Sequence, residues 1–259
     1  MASNNLWQSY EKAEVRTAWL FVLPLMLIVG VFIVLPVIGT IFNSFFLDVS
    51  FLPRRFIGLK NYIDLLGSPD FLQALRFTFA YAVAAVSLEA VFGVMFAVLL
   101  NEAFVGRGFL RVVILIPWAI PTIVSARTWQ LIYEYNYGIM NYLVVAMGIS
   151  AERINWMGTE FGAFWALVFA DVWKTTPFVV LILLAGLQAI PEDLYQQAKV
   201  DGAGMFKRFF CITLPLLKPV LVIALIFRTI DSLRMFDLVY VLTGGGPGGA
   251  TRTLSYLGY

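Results

Sequence analysis

The chain contains no histidine in 259 residues and one cysteine, Cys211. The first absence removes the commonest general base and metal ligand, and the second leaves no partner for an intrachain disulfide. Charge is scarce: Asp, Glu, Lys and Arg together make up 13% of the chain and sum to only +2. No long basic run is present, so nothing in the charge pattern calls for a nucleic-acid partner. A Gly-rich loop closing on Lys-Ser or Lys-Thr is also missing, which excludes that way of cradling the phosphates of ATP. With no nucleophile motif and no cluster of metal ligands, no catalytic residue, resident metal or bound cofactor is expected. Cys211 reads as a small apolar filler.

What the chain has is apolar surface. Hydrophobic residues make up 61% of it and the mean hydropathy is +0.85, against about half apolar and a quarter charged in ordinary soluble domains. This composition predicts an all-α, polytopic membrane protein in contact with lipid, because a chain that crosses a bilayer satisfies its backbone within helices. Five spans are expected, at about residues 19–46, 77–100, 112–132, 161–187 and 216–242, each long enough for about 30 Å of hydrocarbon. A polar tail, residues 1–18, precedes the membrane domain of residues 19–259. Lys and Arg favour the tail and the segments on its side of the membrane, which predicts a cytoplasmic N-terminus. Residues 142–149 are too short to span and read as an interfacial or re-entrant helix. The Gly-rich residues 244–249 read as a flexible external loop.

The polar insert at residues 189–213, between the fourth and fifth spans, is the most informative stretch. Residues 192–200 place Leu194, Tyr195 and Ala198 near one face of a short amphipathic helix, and Asp201-Gly202-Ala203-Gly204 breaks it. A second helical run, residues 205–213, leads to Pro215 and Pro219, which are expected to turn the chain into the next span. The insert contains Gln196-Gln197-Ala198, Asp201-Gly202-Ala203 and Ile212-Thr213-Leu214-Pro215 in series. This series resembles the coupling loop of permease subunits in binding-protein-dependent ABC importers, in the carbohydrate-uptake branch of maltose, trehalose and glycerol-phosphate type. The family pattern is Glu-Ala-Ala, Asp-Gly-Ala and Ile-x-Leu-Pro, and the acidic position is the neutral Gln196 here. The resemblance covers nearly all of the chain after Trp19, including residues 56–62, which are similar to a segment that follows the first span in these permeases. It implies a helical bundle of the type I importer kind with a sixth span after the Gly-rich loop, short of which this chain is expected to stop. It also implies that Glu192, Tyr195, Gln196, Ala198, Asp201, Gly202, Ala203 and Phe206 seat the loop in a groove of a partner ATPase.

Ionisable groups inside spans cost at least about 2.5–3.5 kcal/mol each at a helix centre, so they face a partner or a watery cavity. Glu89, Arg127, Asp171, Lys174, Arg228, Asp231, Arg234 and Asp237 are such groups, four of each sign. Asp171 with Lys174, and the series from Arg228 to Asp237, are spaced by three, which lets helical neighbours pair directly. A balanced set favours neutral polar cargo over a strongly anionic one. By alignment to the resembled maltose-type permeases, the substrate pathway falls on Trp118 and Thr122 of the third span, Trp173, Lys174, Thr175 and Phe178 of the fourth, and Asp231, Ser232 and Met235 of the fifth. The charged Arg127, Asp171 and Arg228 of the same three spans are added as cavity-lining candidates.

The resemblance implies a subunit of the prokaryotic plasma (inner) membrane that pairs with a second, homologous permease. Two ATPase subunits that bind ATP and Mg, and an extracytoplasmic binding protein that delivers the sugar, are the other implied partners. The expected cargo is a neutral di- or oligosaccharide. A glycerol-phosphate permease is the alternative within the class. Outside it stands an ion-coupled secondary transporter, for which the intramembrane carboxylates would be the ion sites, although no internal repeat supports it.

Overall fold

A computed structural model describes residues 2–47 and 53–259, so Met1 of the expected tail and residues 48–52, which follow the expected first span, lie outside the described residues. The chain forms two compact units, residues 1–68 and 69–259. In the first, α1 (Ala2–Val29) passes through a π-helical turn, Gly30–Val34, into α2 (Leu35–Asn43). A two-stranded antiparallel ladder of β1 (Phe46–Leu47) and β2 (Arg55–Phe56) and the short α3 (Lys60–Leu66) follow. The Asn61 side chain donates to the carbonyls of Ser44 and Phe46 at 2.8 and 3.1 Å, which closes this unit on itself.

The second unit is built around α4 (Pro69–Asn101) and α8 (Glu160–Gln188), whose mutual contact is the most extensive in the chain. Helix α4 begins eight residues before the expected second span, because Pro69 is preorganised for a first turn and Asp70 favours its positive end. Thr159 caps α8 by accepting from the Gly162 N–H at 3.1 Å. The two helices approach closely at Gly93, where an added Cβ would lie 2.5 Å from a Val179 methyl, so only glycine fits without displacing α8.

The third span is broken. Its halves α5 (Arg107–Ala119) and α6 (Thr122–Ile132) meet at a 98° bend, where one continuous span was expected. Ile120 is held extended by the proline that follows it, and Pro121 is itself extended, so two successive residues leave the helical region. Beyond α6, α7 (Ile139–Ala146) is fixed by the buried Asn141 side chain. That amide donates to the Tyr135 and Ile154 carbonyls and accepts from the Ile154 N–H and the Trp156 indole, at 3.0 to 3.1 Å.

The polar insert contains α9 (Glu192–Val200) and α10 (Met205–Arg208), and α10 continues through a π turn, Phe209–Thr213, into α11 (Leu214–Leu233). Residues Met205–Leu233 are therefore one helical rod, where a turn at Pro215 and Pro219 was expected. Among the described residues, both π turns end inside the same Ile-x-Leu-Pro tetrad, Ile33-Val34-Leu35-Pro36 and Ile212-Thr213-Leu214-Pro215. Proline lacks an N–H and crowds the carbonyl four residues back, so the helix widens by one residue ahead of it. The Leu35 and Leu214 N–H groups reach back to the Gly30 and Phe209 carbonyls accordingly.

The fifth span ends earlier than expected, at Leu233, and residues 234–236 separate it from α12 (Asp237–Leu242), which packs on α6. No Pro or Gly marks this break; the Thr253 hydroxyl satisfies the Met235 carbonyl there at 2.7 Å. The Gly-rich stretch before α13 (Leu254–Leu257) is folded, where an open flexible loop was expected. Thr251 and Thr253 within it are fully buried, and Thr251 donates to the Gly246 carbonyl at 2.6 Å.

Two apolar clusters fill the second unit. Phe77, Tyr81, Ala126, Leu167, Leu238 and Val239 belong to one, and Ala97, Leu100, Val179, Leu183, Leu217 and Ala224 to the other. Along α4, α8 and α11 the level between them is occupied by ionisable side chains.

Candidate functional site

Glu89 of α4, Asp171 of α8 and Arg228 of α11 meet at that level, with 0%, 2% and 4% of their side chains exposed. Arg228 grips Glu89 with two donors, Nε at 2.5 Å from Oε2 and Nη2 at 2.8 Å from Oε1. The same Nη2 lies 3.2 Å from Asp171 Oδ2 and 3.4 Å from the Ser232 hydroxyl. A planar guanidinium with fixed donors suits such forked pairing. Thr175 Oγ1 lies 2.7 Å from both Glu89 Oε1 and the Asp171 carbonyl, so its one proton serves either. The Tyr81 hydroxyl is buried beside the Asp171 carboxylate.

Asp231 carries the series toward the surface. It lies 3.7 Å from Arg228 Nη1 and 2.6 Å from Arg234 Nη2, the spacing-by-three ladder that the sequence suggests. Asp171 and Lys174 do not form the expected ion pair. Instead Lys174 Nζ donates to the Ile120 carbonyl at 2.8 Å. That carbonyl is orphaned by the bend before Pro121, and a cation at a helix C-terminus also complements its dipole.

The remaining pathway candidates divide. Trp118 and Phe178 stack with ring centres 6.2 Å apart, and Thr122 is half-buried in the first turn of α6. Asp171, Lys174, Thr175 and Phe178 fall at helical spacing on one face of α8. Trp173 lies off that face, edge-on to Trp129 at 5.7 Å, and lines an aromatic groove of about 1140 Å³ with Trp156 and Trp165. Arg127 is exposed and bonded to Gln130 at 2.6 Å, and Met235 is half-buried near Thr253. Two groups central to this network, Glu89 as its main acceptor and the Ile120 carbonyl as the lysine's partner, are not among the pathway residues read from the sequence.

In the polar insert, α9 ends in a Schellman turn. The Ala203 N–H reaches the Ala198 carbonyl at 2.8 Å, and the Gly202 N–H reaches the Lys199 carbonyl at 3.0 Å. Gly202 adopts φ +76°, which a side chain resists even though the space around it is open. Glu192, Gln196, Asp201, Val200, Met205 and Phe206 are exposed, and Gln196 donates to Glu192 at 3.3 Å. Tyr195 and Ala198 turn the other way and are half-buried.

Residues 89–259 match the family described as binding-protein-dependent transport system inner membrane component. The chain belongs to this family. Among relatives of this inner membrane component, the trehalose/maltose transport system permease protein MalF of Thermococcus litoralis is 54% identical over 257 residues, 99% of this chain and 86% of the relative. The sulfoquinovosyl glycerol transport system permease protein SmoG of Agrobacterium fabrum is 41% identical over 92% of this chain and 77% of its own. The trehalose transport system permease protein SugA of Mycobacterium tuberculosis is 40% identical over 79% of this chain and 64% of its own. A chain in the crystal structure of a bacterial alginate ABC transporter, in complex with an alginate pentasaccharide-bound periplasmic protein, has the same fold. The TM-score is 0.78 at 20% identity, over 95% of this chain and 82% of that one. The inner membrane component is thus a multi-pass helical permease, with up to five spans when the bent α5–α6 pair is taken as one.

Proposed function

We propose that this permease is the membrane subunit of an ATP-driven importer of a neutral di- or oligosaccharide. The observation that carries the reading is the 54% identity, over 99% of the chain, to a trehalose/maltose permease. In this scheme a second permease completes the pathway, two ATPase subunits bind ATP and Mg at the cytoplasmic face, and an extracytoplasmic binding protein delivers the sugar. The N-terminus is cytoplasmic. Closure of the ATPase pair pushes on α9 and the Gly202 turn, where Glu192, Gln196, Asp201, Val200 and Phe206 present an exposed surface. The spans then expose one site to alternate sides, and the direction follows from the different affinities of the two states.

The charge pattern supports a neutral cargo. Arg228 is already occupied by Glu89 and Asp171, and Lys174 by the Ile120 carbonyl, so neither cation stands ready for a phosphate ester. This disfavours the glycerol-phosphate reading. An ion-coupled carrier is disfavoured by the same geometry, because the two deeply buried carboxylates share one guanidinium. Trp118 and Phe178 supply flat faces, and Thr122 and the partly exposed Asp231 supply polar partners, of the kind a sugar requires.

The test is ATPase activity of the complex copurified through a tag on this chain, in lipid, with loaded binding protein and a panel of neutral disaccharides and glycerol phosphates. Stimulation by a neutral disaccharide alone is expected. Stimulation by glycerol phosphates instead would overturn the cargo assignment.

A further inference from the structure

Thr213 is 7% exposed and is the last residue of the π turn Phe209–Thr213. A hydroxyl buried at this depth needs a partner. Its partner is the Tyr195 hydroxyl, at 3.0 Å, which crosses from α9 over a gap of 18 residues. Tyr195 and Ala198, three apart, form the half-buried side of α9, while Glu192 and Gln196 beside them face outward. The chain connection between α9 and α10 is by contrast the Asp201–Gly204 turn, whose two glycines have open space around them.

We infer that Tyr195 is a positioning residue, which carries movement of α9 into α11 through its hydroxyl's bond to Thr213, and is not a contact to the ATPase. This rests on the reading of α9 as the element that the ATPase displaces. From Thr213 the path is stiff. Helix α11 starts at the next residue, Leu217 and Ala224 are fully buried in the apolar cluster, and Arg228 holds Glu89 and Asp171. Fifteen residues of helix, about 22 Å at about 1.5 Å each, separate the hydroxyl tie from the guanidinium. A push on α9 therefore arrives at the level of the candidate pathway along one rod.

Tyr195→Phe removes only the hydroxyl, and Thr213→Val removes its partner at nearly constant volume. Each is expected to raise the ATP hydrolysed per sugar imported by about two- to tenfold, the factor that one hydrogen bond of ordinary strength carries. Recovery of the complex and of its ATPase should stay at wild-type level. The double variant should be no worse than either single one, since both remove the same bond, and Thr213→Ser should restore the ratio. A wild-type ratio in both single variants, or multiplying effects in the double, would overturn the tie. Loss of copurifying ATPase in Tyr195→Phe would instead make Tyr195 a docking residue and overturn it as well. Failure of the transport reading is separable, because the wild-type complex itself would then show no ATP-driven uptake.

Discussion

Arg228→Leu is expected to be the most damaging single substitution in the chain. It leaves Glu89 and Asp171 as two carboxylates with almost no exposure and no cation between them. Removing one partner of a buried ion pair costs roughly 3–5 kcal/mol, because the other charge is left in an apolar surround. Here one guanidinium serves two acids from two other spans, so α4, α8 and α11 lose their common tie together. The expected measurement is a large fall in complex recovered from detergent-extracted membranes, with a lower melting temperature for what remains. Replacing all three groups with apolar side chains of similar size, Glu89→Leu, Asp171→Leu and Arg228→Met, should recover much of the loss. Well-packed hydrophobic residues are often neutral or stabilising in place of a buried ion cluster. An Arg228→Leu complex with wild-type yield and melting temperature would contradict a structural role for the network.

Gly202→Pro should instead leave the protein inserted and folded but stop sugar accumulation. Proline cannot reach φ +76° and has no N–H to give the Lys199 carbonyl, so the Schellman turn cannot form. The exposed surface from Glu192 to Phe206 then loses its shape, while the spans keep theirs. Loaded binding protein should no longer stimulate ATP hydrolysis. Gly202→Ala meets no neighbour and suffers only the left-handed backbone, a cost of about 1–2 kcal/mol, so its uptake should fall by about tenfold. Sugar accumulation by Gly202→Pro at the wild-type rate would remove the polar insert from the coupling path.

Where the cause is local, the sequence carries these features openly. The amphipathic α9 and its glycine stop lie within a dozen residues, and Arg228 with Asp231, then Asp231 with Arg234, pair at a spacing of three. The long apolar runs of α4 and α8 announce themselves by composition. Where the cause is a partner far along the chain, the sequence is silent. Glu89 and Arg228 are 139 residues apart, and Lys174 bonds a backbone carbonyl 54 residues away, which no spacing rule anticipates. The break after Leu233 has no Pro or Gly and depends on a hydroxyl from Thr253. The π turns are an intermediate case. Their signal, Ile-x-Leu-Pro, is plain in the sequence, but proline there suggests a bend, and only the backbone bonds reveal a widened helix that continues.

The most direct test of the transport account is uptake of a labelled neutral disaccharide into vesicles that contain the reconstituted complex. ATP on the ATPase side and binding protein on the other are supplied, and ionophores collapse every ion gradient. Uptake that requires ATP and binding protein and survives the ionophores is the predicted result. Uptake driven by an ion gradient without ATP would contradict the account and turn attention to Glu89 and Asp171 as ion sites.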